Sequence, residues 1–532
     1  MFRAARFALI FLGTCAASVA DADLTLPSVF SDGMVLQRDT AVPIFGTADA
    51  SAEVTVEFAG QTVTSDAGED GSFRVTLAEL NASSEPRTLT VRSGPDTREI
   101  RNVLVGEVWI GSGQSNMSWT VQASLSAEIE SATATDPMIR LYQTPNVTAA
   151  EPQSDVDAAW VECSPETVRG FSAVLYFFGR TLRDTLGVPV GLIQTSWGGT
   201  RAEAWTPEEA LRAEPELEPI LAVWDERADA YDPRQAQQRF EAAQKAFAKK
   251  LAVWKKRRGE DAAAAGRPPR RPELQSEPTV DRHHYSTLYN AKVHPLVPYA
   301  MRGVVWYQGE SNSGRAVQYR TLMATLIRSW REKWDTDFPF YQVQLANFQA
   351  TSETPQDSAW AELREAQQMA ADAVGNAGVA VITDIGAAKD IHPKDKQNVG
   401  ERLARLALVD VYGRAMTRTG PTVADVTPAD GTITVRFENL GEGGFRGLTT
   451  YYNEPLRGFA IRGAEGPWVW AKAILRGADT VVLSHPDVPQ PTEVRYNWAD
   501  NPTGTLFNKA YLPAAPFRTD EGGEVTAQNV RP

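Results

Sequence analysis

Short apolar segments alternate with amphipathic helical patterns from residue 103 to residue 383, and this alternation restricts the fold more than any other feature. Five segments have the length and composition of buried strands, at residues 103–110, 188–193, 303–307, 340–345 and 379–383. The first helical pattern begins after Ser164 and places Val174, Phe178 and Leu182 on one face. Strands joined by helical crossovers pair in parallel. The pattern therefore predicts an α/β domain around a five-stranded parallel sheet.

Stretches with a period of two flank this domain on both sides. Residues 23–100 alternate polar and apolar side chains, as at Val54 and Val56, and the same period returns in residues 414–532. We therefore expect an N-terminal β-domain and a C-terminal β-module on either side of an α/β domain at residues 101–413.

Residues 208–284 interrupt the α/β alternation with a segment rich in Ala, Glu, Lys and Arg. Its pattern is helical around residues 235–257 and ends near Gly266. The basic run at residues 255–258 is more typical of a solvated helix end than of a binding patch. The segment is predicted to be a helical insertion that ends in a mobile loop.

The N-terminus has the pattern of a secretory signal peptide, predicted at residues 1–22. Arg3 and Arg6 precede an apolar run at residues 7–13, and small residues follow. A lipoprotein anchored through Cys15 is the alternative, which Thr14 disfavours. No later stretch is long and apolar enough to span a bilayer. We expect an exported protein, periplasmic or extracellular.

The charge of the chain argues against a nucleic-acid partner. The formal net charge is -14, so no overall basic surface is expected. The His283-His284 pair could suggest a metal, but no further ligands stand at metal-site spacing around it. We expect neither a metal nor a cofactor, and the sequence does not decide the oligomeric state.

Glycine-containing polar clusters follow three of the five predicted strands. In an open parallel sheet, the ligand crevice lies outside the carboxyl ends of the strands. One such cluster is common in ordinary connections, but three at one edge indicate a functional site. The clusters occupy residues 111–117, 194–200 and 307–312.

The histidines limit the choice of a catalytic base. Among the 5 histidines, only His392 follows a predicted parallel strand, and Asp390 and Asp384 lie in the same loop as candidates to orient it. The candidate nucleophile, Ser115, does not lie in the G-x-S-x-G motif of α/β-hydrolases, because residue 117 is Met.

Four motifs together resemble the blocks of the SGNH hydrolase superfamily, and within it the sialate O-acetylesterase and carbohydrate acetylesterase branch. The likeness covers nearly the whole chain after the signal and implies a three-layer α/β fold with flanking β-modules. The motifs are Gly113-Gln114-Ser115-Asn116-Met117, Trp197-Gly198-Gly199-Thr200, Trp306-Tyr307-Gln308-Gly309-Glu310-Ser311-Asn312 and Asp390-Ile391-His392-Pro393.

The resemblance implies a serine esterase mechanism. Ser115 would be the nucleophile, His392 the base and then the acid, and Asp390 the residue that orients the imidazole. Because a neutral histidine must act as base, activity should fall below about pH 6.5.

The resemblance also implies an oxyanion hole and supporting residues. The donors would be the backbone N–H of Ser115, an N–H from Gly198 or Gly199, and the side chain of Gln308. Gln308 stands where many superfamily members have Asn, a change that the acetylesterase branch shares. Three further residues would support the site: Gln114, Asn116 and Glu310.

An acetylated sugar or glycan is the expected substrate. Trp197 could stack on a sugar ring, and Arg201 could pair with a substrate carboxylate such as that of a sialic acid. Plant polysaccharide, such as acetylated xylan or xyloglucan, is the alternative substrate. A non-catalytic carbohydrate-binding protein is the alternative of another class.

Overall fold

The computed structural model describes residues 23–260, 266–451 and 454–532. The predicted signal peptide at residues 1–22 lies outside the described residues. Within them, a large mixed sheet carries helices on both faces, and smaller β-sheets flank it.

The N-terminal β-structure is joined to the central sheet through one long strand. Its last strand, β7, has 18 residues; it pairs antiparallel with β6 and, further along, parallel with two strands of the central sheet. The chain therefore passes residue 100, the predicted boundary, without a break in the strand. The strands are β1 (Val35–Gln37), β2 (Val42–Thr47), β3 (Glu53–Phe58), β4 (Gln61–Asp66), β5 (Ser72–Leu77), β6 (Ser83–Ser93) and β7 (Asp96–Gly113).

Six further strands complete the central sheet. They are β8 (Asp136–Gln143), β9 (Trp160–Cys163), β10 (Val190–Gln194), β11 (Gly303–Tyr307), β12 (Phe340–Val343) and β13 (Ala377–Ala380). The order is β13-β12-β11-β7-β10-β8-β9, and every neighbouring pair is parallel except β8 with β9. All five predicted strands are present, but the predicted number is wrong, because β8 is a sixth parallel strand.

A buried arginine explains why the sequence pattern missed β8. Arg140 lies in the middle of this strand and is only 2% exposed. Its guanidinium donates to the carbonyl of Gly33 and to Oδ1 of Asn102, both at 3.2 Å, so it joins the sheet to the N-terminal β-structure. A cation in a strand interior masks the apolar pattern on which strand prediction depends.

Helices cover both faces of the sheet. On β11, Val304 and Trp306 join the core that includes α7 and α8, whereas Val305 and Tyr307 join the core that includes α3 and α9. The helices are α1 (Ser115–Ser118), α2 (Ala127–Ala132), α3 (Ala173–Leu186), α4 (Glu208–Arg212), α5 (Glu218–Asp229), α6 (Pro233–Glu260), α7 (Ala316–Trp334), α8 (Ala359–Val374) and α9 (Lys396–Asp410).

The predicted start of α3 is wrong by several residues. Ser172, rather than Ser164, caps the helix and accepts a hydrogen bond from the N–H of Leu175 at 3.1 Å. The predicted apolar face is correct, since Val174, Phe178 and Leu182 are all buried.

The predicted helical insertion contains α4, α5 and the long, largely exposed α6. None of the described helices is long and apolar enough to cross a membrane.

Short antiparallel sheets form the C-terminal part of the chain. The strands are β14 (Thr422–Ala429), β15 (Thr432–Glu438), β16 (Leu448–Thr450), β17 (Phe459–Arg462), β18 (Val469–Trp470), β19 (Lys472–Arg476), β20 (Thr480–Ser484), β21 (Glu493–Tyr496), β22 (Leu506–Asn508) and β23 (Phe517–Arg518). Ile433, Val435 and Phe437 are buried in their core, as the period of two predicts.

Residues 524–531, here called the C-terminal tail, return from the last strand to α7 and α8. Thr526 Oγ1 donates to Oε2 of Glu362 on α8 at 2.6 Å. Gln318 Nε2 on α7 donates to the carbonyl of Val530 at 2.9 Å. The tail is therefore attached to the α/β domain by buried and half-buried contacts.

The strand order places three polar clusters at one edge of the sheet. From β7 the sheet extends through β10 and β8 on one side and through β11, β12 and β13 on the other. Such a reversal of strand order opens a crevice beyond the carboxyl ends of the strands. The clusters after β7, β10 and β11 meet at this crevice.

Candidate active site

Ser115 stands directly after β7, where the backbone turns sharply into α1. Gly113 has φ of 132°, and a Cβ at this position would lie 2.2 Å from the carbonyl oxygen of Tyr307. Only glycine fits such a conformation and such a close approach. Gln114 N–H donates to the same carbonyl at 2.9 Å, so the turn is held against β11 and leaves Ser115 half-buried at the rim.

His392 lies within hydrogen-bond distance of Ser115. Its Nε2 is 2.9 Å from Ser115 Oγ, and its ring stacks on Trp119 with centroids 4.7 Å apart and planes at 17°. On the other side of the ring, Nδ1 is 3.5 Å from Oδ1 of Asp390. The same Oδ1 accepts the backbone N–H of His392 at 3.0 Å. Ser115 from the turn after β7, and His392 and Asp390 from one later loop, thus have the relative positions of a Ser–His–Asp triad.

Asp384, the other candidate to orient His392, is occupied elsewhere. Its two carboxylate oxygens accept hydrogen bonds from Arg402 at 2.6 and 2.8 Å. This bidentate pair holds the carboxylate on α9, so the geometry favours Asp390 as the partner of the imidazole.

The surroundings of His392 keep its imidazole neutral. Burial lowers the pKa of His392 below its usual 6.5, the charge of Lys396 lowers it further, and Asp390 opposes both. A neutral ring can accept the proton of a serine hydroxyl. The acid limb of the activity profile should therefore lie below pH 6.5 rather than at it.

The loop after β10 packs against Ser115. A Cβ on Gly198 would lie 3.4 Å from the Cβ of Ser115, and Trp197 N–H donates to the carbonyl of Gly113 at 3.0 Å. Gly199 has φ of 76°, which favours glycine, and it is exposed. Within the described residues, the N–H groups of Gly198 and Gly199 have no hydrogen-bond acceptor.

Gln308 is fully buried, and its amide hydrogens have partners within the fold. Nε2 donates to Oδ1 of Asn312 at 2.7 Å and to the carbonyl of Thr200 at 3.3 Å. Oε1 accepts from the hydroxyl of Tyr319 at 3.0 Å. The side chain therefore connects the clusters that follow β10 and β11.

The three predicted supporting residues link the loops to one another. Gln114 Oε1 accepts the N–H groups of Gly309 and Ser311 at 3.4 and 3.2 Å. Asn116 Nδ2 donates to Oε1 of Glu310 at 2.5 Å and to the carbonyl of Ile391 at 3.0 Å. Asn116 thus holds the turn after β7, the cluster after β11 and the His392 loop together.

Lys396 completes this network and was missed by the sequence analysis. Its ammonium group is fully buried, donates to Oδ1 of Asn116 at 2.5 Å and lies 5.0 Å from the ring centroid of Tyr307. Burial lowers its pKa to about 7, with Glu310 and Asp390 opposing. One sequence signal could have identified Lys396: it is a cation in the first turn of a predicted helix, a position where the helix dipole disfavours a positive charge.

Replacing Lys396 with methionine should move the acid limb of the activity profile to higher pH. At pH values below 7 the ammonium is charged and disfavours protonation of His392, so its removal raises the pKa of the imidazole. The measurement is kcat/KM against pH.

Lys292→Met is the matched control for this change. Lys292 is another fully buried lysine whose pKa burial lowers to about 7, but its ammonium contacts Asn146 instead. Its removal should leave the acid limb in place. An unmoved limb in Lys396→Met would show that this charge does not act on His392.

The two predicted substrate-binding residues, Trp197 and Arg201, are both half-buried. They stand at the two ends of residues 197–201 after β10, here called the glycine loop. Lys292 and Arg282 lie 5.6 and 5.9 Å from the ring centroid of Trp197. Arg201 makes no hydrogen bond or ion pair with a described residue. The described residues contain no group of three or more His, Cys, Asp and Glu side chains that could hold a metal ion.

A family model and curated relatives match this chain. The model for the carbohydrate esterase family of sialic acid-specific acetylesterases matches residues 105–218 and 276–409. A sialate O-acetylesterase of Rattus norvegicus is 30% identical over 430 residues, which cover 74% of this chain and 75% of the relative. A sialate O-acetylesterase of Homo sapiens is 28% identical over 432 residues, which cover 74% of this chain and 72% of the relative.

A solved structure matches the chain over almost its whole length. A carbohydrate acetylesterase from Xanthomonas citri is 31% identical, with a TM-score of 0.76. The match covers 94% of this chain and 100% of that protein. The likeness therefore extends beyond the central sheet to the flanking β-structures.

Proposed function

Because this chain belongs to the sialic acid-specific acetylesterase family of carbohydrate esterases, and is therefore a carboxylic ester hydrolase, we propose that Ser115, His392 and Asp390 are its catalytic residues. The observation that carries the proposal is the 2.9 Å contact between Ser115 Oγ and His392 Nε2 at the crevice. The prediction of an enzyme is confirmed, and the alternative of a non-catalytic binding protein is set aside.

The proposed reaction has two steps that use the same imidazole. Ser115 Oγ attacks the acetyl carbonyl carbon while His392 Nε2 takes the hydroxyl proton. The tetrahedral intermediate collapses, the sugar leaves with that proton, and the acetyl group stays on Ser115. Water, deprotonated by His392, then attacks the acetyl carbon; the bond to Ser115 Oγ breaks, acetate leaves, and His392 returns the proton to Oγ. Asp390 stabilises the imidazolium in both steps.

The oxyanion would be bound by backbone N–H groups and by Gln308. The N–H of Ser115 lies at the start of α1, and the free N–H groups of Gly198 and Gly199 lie on the loop against it. Both amide hydrogens of Gln308 have acceptors within the fold, so its role requires exchange of the longer bond, to Thr200, for the oxyanion.

Gln308→Ala should lower kcat by about 100- to 1,000-fold with little change in KM, if Gln308 donates in the transition state. The test is steady-state kinetics together with the melting temperature. A lower melting temperature without this loss in kcat would mean that Gln308 only joins the two loops and does not bind the oxyanion.

Asp390→Asn should lower kcat by roughly 100- to 10,000-fold, because the imidazolium loses the carboxylate that stabilises and orients it. Asp384→Asn is the matched control: it breaks the ion pair with Arg402 and should lower the melting temperature rather than kcat. The opposite result would make Asp384 the orienting residue.

The substrate is an acetylated carbohydrate, and we propose an O-acetylated sialic acid. The test is acetate release from 9-O-acetylated sialic acid and from acetylated xylan, with Ser115→Ala as the inactive control. Release from the first alone supports a sialate esterase. Release from acetylated xylan alone would show that the enzyme acts on plant polysaccharide instead.

We also propose that the enzyme is exported. The support is the signal-type sequence at residues 1–22, with Arg3 and Arg6 before the apolar run. Export would be tested by sequencing the N-terminus of the protein after expression of the full chain. A retained Met1 in the cytosolic fraction would contradict it.

A further inference from the structure

A polar pocket of about 440 Å³ adjoins the glycine loop of the active site. Ser311 lines the pocket, and its hydroxyl donates to the carbonyl of Gly199 at 3.1 Å. Gly198, the residue before Gly199, packs against Ser115. The pocket is thus connected to Ser115 through the glycine loop, and its volume is within the range of small-molecule sites.

Three guanidinium groups line this pocket, and they belong to Arg201, Arg315 and Arg531. Arg315 is neutralised by the fully buried Glu203, at 2.5 Å. Neither Arg201 nor Arg531 has a hydrogen bond or ion pair with a described residue, and no carboxylate from the described chain lines the pocket. The pocket therefore carries two guanidinium groups that are not hydrogen-bonded or ion-paired to a carboxylate of the described chain.

Arg201 is the more informative of the two unpaired arginines. It is half-buried, and burial lowers the pKa of Arg201. A guanidinium that has lost much of its water and gained no acceptor is destabilised until an anion binds it. A planar guanidinium binds a carboxylate through two parallel hydrogen bonds.

The C-terminal tail forms part of the wall of the pocket. Gln528, Asn529 and Arg531 line it, and Asn529 Nδ2 donates to the carbonyl of Gly314 at 3.0 Å. Together with the bonds of Thr526 and Val530 to α8 and α7, this contact holds the tail in place. The side-chain amides of Gln528 and Asn529 line the pocket with the two cations and can form hydrogen bonds with the hydroxyls of a sugar.

We propose that this pocket binds the carboxylate of an acidic sugar in the substrate, with Arg201 as the bidentate partner and Arg531 of the C-terminal tail as the second cation. The proposal rests on the proposed esterase function and deepens it, because it adds the tail to the substrate site. The carboxylate can belong to a sialic acid or to a hexuronic acid, and the experiment separates the two.

The first experiment compares two substrates that differ only at the carboxyl group, 9-O-acetyl-N-acetylneuraminic acid, which is charged, and its neutral methyl ester. The wild-type enzyme should prefer the acid in kcat/KM by roughly 10- to 100-fold, since a charge-assisted bidentate contact is lost in the ester. In Arg201→Met, kcat/KM for the acid should fall to the value for the ester, mainly because KM for the acid rises. Arg531→Met should reduce the preference by a smaller factor of about 2 to 5, because Arg531 is exposed.

Arg282→Met is the matched control, because Arg282 is exposed near Trp197 but does not line the pocket. It should keep the preference for the acid. Hydrolysis of 4-nitrophenyl acetate should be unaffected in this control variant. Equal rates on the acid and the ester in wild type, or an equal loss on both in Arg201→Met, would overturn the proposal.

A binding measurement tests the pocket independently of catalysis. Calorimetric titration of Ser115→Ala with free N-acetylneuraminic acid and with glucuronic acid should detect binding of at least one acid at millimolar concentration. This binding should be absent from the double variant that carries Ser115→Ala and Arg201→Met. Which acid binds identifies the source of the carboxylate. Binding of neither acid would overturn the proposal, whereas failure of 4-nitrophenyl acetate hydrolysis in wild type would instead contradict the esterase mechanism.

Discussion

Replacing Ser115 with alanine is expected to lower kcat/KM for acetate release by roughly 10,000- to 1,000,000-fold. In the proposed mechanism the acetyl group is bound to Ser115 Oγ, and the alanine variant lacks the atom that forms this bond. The remaining rate would come from the oxyanion donors and from substrate binding. The measurement is acetate release at saturating and at low substrate, with long incubations for the variant.

Ser118→Ala is the matched control for this loss. Ser118 lies on the same helical turn, and its hydroxyl is 3.0 Å from that of Ser196, away from the imidazole. Its removal should cost less than about 10-fold. If Ser115→Ala keeps more than about one hundredth of the wild-type rate while Ser118→Ala does not, Ser115 is not the nucleophile.

Replacing His392 with alanine should lower kcat by a similar factor of roughly 10,000 to 1,000,000, because the serine hydroxyl then has no base. The change also empties a space beside Trp119, whose ring now stacks on the imidazole. His392 is 25% exposed, so this space opens to solvent. Added imidazole should therefore enter it and restore part of the activity.

His294→Ala is the matched control for the histidine. The ring nitrogen Nδ1 of His294 is 2.8 Å from the carbonyl of Gln153, which gives it a structural role remote from Ser115. This variant should keep most of the activity and should not respond to imidazole. Full activity in His392→Ala would contradict the proposed base.

The sequence predicted the convergence at the active site because strand ends are easy to recognise in a parallel sheet. Ser115, Gly198 and Gln308 each lie within four residues of the end of a strand, and the carboxyl ends of parallel strands meet at one edge. His392 was identified because few histidines were available. The position of Asp390 beside it needed the structure, since Asp384 lies in the same loop.

Other features depended on contacts that no local pattern encodes. Arg140 concealed β8, because its partners lie in the distant N-terminal β-structure. Lys396 looks like an ordinary helix residue until the packing of Asn116 and Tyr307 around its ammonium is known. Arg531 lies 330 positions after Arg201 in the chain, and only the folded tail brings both to one pocket.

The central claim is that the ester is cleaved through a covalent bond to Ser115, and labelling with a fluorophosphonate tests it most directly. The reagent reacts with a serine that a neighbouring base activates, and peptide mass spectrometry locates the adduct. We predict one adduct per chain, on Ser115, forming in step with the loss of acetate release and much more slowly in His392→Ala. An enzyme that remains active while Ser115 is labelled, or one that is inactivated with the adduct on another residue, would contradict the account.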